Sequence, residues 1–335
     1  ITTKIMKFNV NQQDLQQALS YCQGVIEKRS TLQILSNVML DAVSSKLTIT
    51  ATDLDLIFIH QINNIEVLKE GKTTTTSSIM YDVVRKFSSG KKINLSLSED
   101  SKLQLESEKS IFNLNCLSPS EFPLTDENFN DNEFIMNSKS LLKLLNKCKF
   151  AVSNDETRHY LSGIYFHQTS VEDKNYLTAV STDSHRMSIS KVKLNEKINF
   201  DPIILPKKTI FQLILLLEQS SGTIKISNNK SKIKFEINGG VLISKVIDGR
   251  FPDYSKVIPK NNDKVLQIKL DEFRNSIERV STVSSDRKKG LKMTLSKDVL
   301  QLSVNNPSSG EGTENINAKF NSSDLNISFN SRYLT

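Results

Sequence analysis

The chain has 335 residues, a formal net charge of +7 and a pI near 9.1. That length supports two or three ordinary domains, and its longest apolar-rich stretch, "TIFQLILLLE", is far too short to span a bilayer. Nothing at the amino end has the order of a signal peptide, so Met6 is expected to be the natural start and residues 1–5 an added tail. Three scattered cysteines (Cys22, Cys116, Cys148) exclude a disulfide framework and a zinc site, and His60, His159, His167 and His185 have no ligand spacing. A reduced, cytoplasmic chain with no metal and no cofactor is expected. The positive charge permits a polyanionic partner. A Lys-, Asn- and Ile-rich composition can produce that charge by itself, so where the charge sits matters more.

Taken in chain order, the elements repeat. "MKFNVNQQDLQQALSYCQGVI" from Met6 is an alternating run passing into an amphipathic helix, with Leu15, Ala18, Leu19 and Cys22 at i, i+3, i+4, i+7. "EFIMNSKSLLKLLNKCKFAVS" from Glu133 repeats the spacing with Leu141, Leu144, Leu145 and Cys148, and "VLQIKLDEFRNSIERVSTVS" from Val265 does so with Phe273, Ser276, Ile277 and Val280. Cys22 and Cys148 thus share one core position with Val280. Strand–turn–strand units follow at 47–62, 176–192 and 300–316. A second helix is predicted near Ile79, near Pro206 and beginning near Asn330, and strands with a Phe-Pro turn close the first two copies. The period is about 130 residues, which is the size of a domain rather than a solenoid unit. The predicted class is α+β: three tandem copies with helices on one side of antiparallel sheets. They are placed at 6–131, 132–262 and 263–335, with polar linkers at 124–133 and 259–264.

"STDSHRMS" (181–188) assembles Ser181, Asp183 and His185, the residue types of a nucleophilic triad. Triad members are gathered by a fold and seldom adjoin in sequence, and the chain has no GxSxG elbow. The segment also aligns with "ATDLDL" (51–56) and "VNNPSS" (304–309), which makes it a turn common to all copies. A serine hydrolase is therefore the least favoured reading, and a turn supporting a binding surface the preferred one.

Basic residues gather on predicted helices. Lys139, Lys143, Lys147 and Lys149 occur with no acid from Ser138 to Val152; Lys207 and Lys208 open the second helix of copy two, and Arg85 and Lys86 end that of copy one. Without a base-reading motif, such helices suit phosphate contact regardless of base sequence.

"KRSTLQILSNVML" (28–40), "TRHYLSGIYF" (157–166), "STDSHRMS", "DGRFPDYSKVIPKNNDK" (248–264) and "FNSRYL" (329–334) together resemble the bacterial sliding clamp family, the beta subunit of DNA polymerase III, from Met6 to Thr335. The resemblance implies a non-catalytic processivity factor: a ring-shaped head-to-tail homodimer that encircles duplex DNA. It implies a clamp loader that opens the ring with ATP. It also implies that the DNA polymerase III alpha subunit, other polymerases, ligase and mismatch-repair proteins dock through a short peptide, and that there is no membrane partner. By the same resemblance Arg29 matches a DNA-contact arginine, Arg158 and Tyr160 lie in a loop used near DNA, and Lys207 and Lys208 lie on an inner helix. The peptide pocket would comprise Leu161, Thr182, Ser184, His185, Arg186 and Met187, with Pro252, Lys256, Val257, Asn330 and Tyr333. The ring interface would set Phe112 and Leu114 against Thr282 and Val283 of a second chain. A three-domain peptide-binding scaffold that does not encircle DNA is the alternative.

Several positions depart from the family. Ser184 stands where glycine is usual, Lys256 replaces an arginine, and Lys288 occupies an aromatic position of one relative; Arg and Lys are not equivalent donors. Thr282 and Val283 are less apolar than usual. From Val265 to Thr335 the third copy spans about half the repeat, so it is expected to be truncated, with a weak or absent dimer.

Overall fold

A computed structural model describes residues 4–27, 31–123, 129, 133–284 and 289–335. The chain divides into two compact units, 1–251 and 252–335. Five helices occur among the described residues: α1 (Gln12–Cys22), α2 (Ser77–Val84), α3 (Ser138–Cys148), α4 (Lys207–Glu218) and α5 (Leu270–Val280). The first and third start at asparagine caps, Asn11 accepting from Gln13 N and Asn137 from Ser140 N. Their predicted apolar stripes are the buried faces: Leu15, Ala18, Leu19 and Cys22, then Leu141, Leu144, Leu145 and Cys148. Burial pushes the Cys22 thiol up to about 12 and that of Cys148 to about 11, as befits packing residues.

Sheet order makes the triplication explicit. In copy one the strands run 56–63, 46–52, 37–43, 71–76; in copy two 187–193, 174–182, 163–171, 203–206; in copy three 310–317, 299–306, 290–296, 325–330. The order is the same in each, and every neighbouring pair is antiparallel. A second group also recurs: 110–117, 102–107, 92–98, 4–11 in copy one and 240–245, 232–237, 223–228, 133–137 in copy two.

Copies one and two share a single 13-stranded sheet. Strand 240–245 pairs antiparallel with 56–63, in register from Gly240 opposite His60 to Ser244 opposite Leu56. The hydrophobic core is continuous across this join, which is why residues 1–251 form one unit. The second unit has its own small core around Ile277, Leu291, Leu300 and Leu302.

One expectation fails in part. The alternating run at 265–269 forms only an isolated bridge, Gln267 to Lys319, rather than a strand. Val265 and Leu270 are 64% and 75% exposed, so its apolar residues find no sheet face to cover. The second helix of copy three is represented by a 3-10 turn, Ser331–Tyr333, capped by Asn330.

Candidate partner and nucleic-acid interface

The turn at 182–187 is built by its own side chains. Thr182 Oγ1 accepts from Ser184 N and donates to the Arg186 carbonyl. Asp183 Oδ1 accepts from the backbone N–H groups of His185 and Arg186, both at 3.0 Å, and Oδ2 pairs with Arg186 Nε at 3.1 Å. Burial opposes the Asp183 charge, but those N–H donors and the guanidinium prevail and hold its pKa below the ordinary carboxylate value. Copy one has the same turn. Thr52 Oγ1 accepts from Leu54 N, and Asp53 Oδ1 accepts from Asp55 N and Leu56 N. In both turns the third residue is left-handed, Leu54 at φ 80° and Ser184 at φ 73°.

This chemistry leaves no triad. Ser181 is fully buried, and its hydroxyl donates to the Cys148 carbonyl at 2.6 Å. The Asp183 carboxylate is committed to the turn and to Arg186.

A loop at 155–161 stands beside the turn. Arg158 donates from Nε to Asp155 Oδ2 at 2.8 Å and from one terminal nitrogen to Ser184 Oγ at 2.7 Å. Hydrogen bonds from Thr157 and Arg158 lower the Asp155 pKa to about 2. The His159 ring is 3.1 Å from the Asp248 carbonyl. Gly249 has a positive φ of 150° and approaches Tyr160 so closely that an added Cβ would lie 3.2 Å from the Tyr160 Cβ, a position that suits glycine. Arg186 lies over the half-exposed Phe150 ring, 5.3 Å from its centroid, a cation–π arrangement. Ser184 and His185 are exposed, Thr182 and Met187 partly so, and Leu161 lies beneath at 3% exposure. Pro252, Lys256, Val257, Asn330 and Tyr333 belong to the second unit. Among them Val257 is 68% and Tyr333 37% exposed, and Lys256 pairs with Asp253. A crevice of about 190 Å³ between copies one and two, floored by Tyr21, Phe58 and His60, is lined by none of these residues.

Of the predicted DNA contacts, Arg29 lies outside the described residues, as does Lys288. Lys139, Lys143 and Lys147 form an exposed i, i+4, i+8 stripe opposite the buried face of α3, and Lys149 is half-buried. Arg85 and Lys86 are exposed at the end of α2, Arg85 pairing with Asp82. Lys207 and Lys208 are less available. Lys207 reaches the Asn154 side chain, while Lys208 donates to the Val25 carbonyl at 2.7 Å and pairs with Asp53. The basic pattern is not uniform: α1 carries no Lys or Arg, and α5 alternates signs, with Arg274 paired to Glu278. Sequence reading passed over Asp53, Asn154, Asp155 and Phe150, which anchor the very side chains it selected. An Asp three residues before Arg, at 155/158 and again at 183/186, was the signal within reach.

At the proposed ring edge Phe112 is 41% and Ile111 57% exposed, with Leu114 half-buried, and Phe112 packs edge-on against Phe87. Thr282 is exposed in the 3-10 turn 281–283. Val283 lies beside strand 310–317, where a Cβ on Gly312 would meet it at 3.4 Å.

Models of the DNA polymerase III beta subunit match the chain in sequence: the N-terminal domain over 6–126, the central domain over 135–253 and the C-terminal domain over 255–335. The beta sliding clamp of Caulobacter vibrioides is 34% identical over 332 residues, covering 98% of this chain and 89% of that protein. The one from Escherichia coli K12 is 27% identical over 329 residues, covering 98% and 88%. The crystal structure of a Bartonella birtlesii DnaN sliding clamp (DNA polymerase III subunit beta) bound to griselimycin matches with a TM-score of 0.94 at 36% identity, over 98% of this chain and 88% of that one. Three repeated domains, their sheet order and these likenesses agree: the chain belongs to the family of the bacterial DNA polymerase III beta subunit, the DNA sliding clamp.

Proposed function

We propose that this DNA sliding clamp acts as a head-to-tail ring of two chains that holds DNA polymerase III and its accessory proteins on duplex DNA. The observation that carries the reading is the join between copies one and two, where strand 240–245 pairs with 56–63. By the internal repeat, 110–117 is the copy-one counterpart of 240–245, and 310–317 is the copy-three counterpart of 56–63. Among the described residues, 110–117 is paired on one side along its length and on the other only through Cys116 and Leu117. Strand 310–317 is an edge strand. Two such edges from different chains are complementary, and head-to-tail repetition closes when the rotation permits it. Phe112 and Leu114 then meet Thr282 and Val283 of the second chain. Phe112→Glu is expected to weaken self-association at least about tenfold, because a carboxylate would enter an apolar contact. Sedimentation equilibrium of both proteins checks this.

The domain borders proposed are 6–131, 132–262 and 263–335. For DNA, the proposed contacts are Arg29, Arg85, Lys86, Arg158, Tyr160, Lys207 and Lys208. For partner peptides, they are the turn with Leu161, Thr182, Ser184, His185, Arg186 and Met187, and Pro252, Lys256, Val257, Asn330 and Tyr333 from the second unit. The proposed partners are a clamp loader, the alpha subunit, other polymerases, ligase and mismatch-repair proteins, all in the cytoplasm. The family is a non-catalytic processivity factor; catalysis is assigned to the DNA-directed DNA polymerase holoenzyme it joins. Retention by encirclement asks only for weak, salt-sensitive phosphate contacts, since tight base contacts would arrest sliding. Tethering keeps the polymerase at high effective concentration.

The test is retention on nicked circular DNA, with clamp loader and ATP, through gel filtration at moderate salt. The expected result is co-elution that is lost when the circle is cut. No retention on the circle, or retention that survives cutting, would contradict encirclement and favour the peptide-binding scaffold.

A further inference from the structure

The Arg158 side chain bridges two sites assigned above to different ligands. It lies in the loop proposed to contact phosphates, yet one of its terminal nitrogens donates to Ser184 Oγ at 2.7 Å, on the turn proposed to receive peptides. Its Nε is held by Asp155 at 2.8 Å, and that carboxylate stays ionised at any physiological pH because its pKa is about 2. Two oriented hydrogen bonds, one charge-assisted, remove much of the rotamer freedom of a long side chain and partly neutralise its charge. The residue providing the second anchor is placed at a conformational cost. Ser184 sits at φ 73°, as Leu54 in the equivalent turn of copy one sits at φ 80°. Both are left-handed positions that favour glycine. Leu54 has no hydroxyl, whereas Ser184 has one, and it accepts from Arg158. The turn itself is complete without that hydroxyl, because Thr182 and Asp183 satisfy its backbone N–H groups.

We propose that Ser184 is a positioning residue: its hydroxyl latches the Arg158 guanidinium onto the peptide-facing turn and thereby withholds it from phosphate. The latch presents Arg158 as an oriented donor to a docking peptide's carbonyl or carboxylate oxygens. It also makes the two ligands compete for one side chain, so that each weakens the other by the same factor. The inference rests on the reading of residues 182–187 as a peptide-binding wall.

The test compares wild type with Ser184→Gly, Ser184→Ala, Arg158→Ala and the double variant Ser184→Gly/Arg158→Ala. Binding of a fluorescein-labelled peptide copying the clamp-contacting segment of a DNA polymerase III alpha subunit is followed by anisotropy. Binding of a labelled DNA duplex is followed across a salt series. Ser184→Gly and Ser184→Ala are both expected to weaken the peptide about fivefold, the worth of one hydrogen bond to a charged group. Duplex binding is expected to tighten, with the salt slope steepening by about 0.9, one released phosphate contact. The double variant should bind peptide no more weakly than Arg158→Ala alone, since the hydroxyl acts only through the guanidinium. Ser184→Gly should melt no lower than wild type, because it relieves a left-handed side chain; a merely structural role would lower stability and affinity together.

Peptide affinity within about twofold of wild type in both Ser184 variants overturns the latch, as does a loss in Ser184→Gly that Ser184→Ala does not share. Failure of the wild-type chain to bind the peptide at millimolar concentration instead overturns the peptide-wall reading on which the latch depends.

Discussion

Asp53→Ala is expected to destabilise the first unit by about 2–4 kcal/mol, the penalty for orphaning buried donors and one member of a nearly buried ion pair. The Asp53 side chain is 6% exposed and serves two structures at once. Its Oδ1 accepts from Asp55 N at 3.0 Å and Leu56 N at 2.6 Å, closing the copy-one turn. Its Oδ2 takes the Lys208 ammonium, which opens α4 of copy two and also reaches the Val25 carbonyl. Alanine removes all three bonds. Asp53→Asn keeps an acceptor for the turn and removes only the charge, so it should lose about 1 kcal/mol, in the range of a partly exposed ion pair. Calorimetric unfolding of both variants separates the two roles. Equal losses would mean that the ion pair, not the turn, holds copies one and two together at this point.

Reversing the α3 stripe, with Lys139, Lys143 and Lys147 all changed to Glu, is expected to lower duplex affinity by more than about a hundredfold at low salt. The log–log salt slope should flatten by about 2.7, near 0.9 for each lost phosphate contact. The three ammonium groups are exposed on one face, and the helix has no acid to offset them. The fold should tolerate the change because the buried face, Leu141, Leu144, Leu145 and Cys148, is untouched. Only Lys147 sits in the last turn, where a carboxylate opposes the helix dipole. Arg274→Glu on α5 is the control: Asp271, Glu272 and Glu278 already surround it, so little duplex affinity should be lost. Anisotropy with a labelled duplex, from low to physiological salt, reads both. A slope unchanged by the triple reversal would remove α3 from the DNA-facing surface.

Both predictions depend on side chains whose roles were unequally legible. The α3 lysines could be selected by eye, because helical period and charge are local properties. The commitment of Lys208 to Asp53 could not, since the two residues lie 155 positions apart and either reads as an ordinary surface charge. Arg158 and Ser184 are similar: separated by 26 positions, they were assigned to different sites until their contact joined them. The left-handed turn at 184 was also hidden, for a serine gives no sign of the φ that a glycine would have announced.

By itself the sequence determined the local elements and their repetition. Apolar residues at i, i+3, i+4 and i+7 specified which face of α1, α3 and α5 is buried, and alternation specified the strand–turn–strand units. Both follow from the fixed side-chain periods of helical and extended backbone. The family was legible for the same reason, several short segments recurring in order along the chain. Only the tertiary structure decided that strand 240–245 continues the sheet of copy one through 56–63. Strand alternation states which side of a strand is apolar but not which strand lies beside it. That choice is made by edge hydrogen bonds and packing between residues far apart in the chain. The run at 265–269 shows the converse, an alternating pattern left as a single bridge where no sheet face receives its side chains.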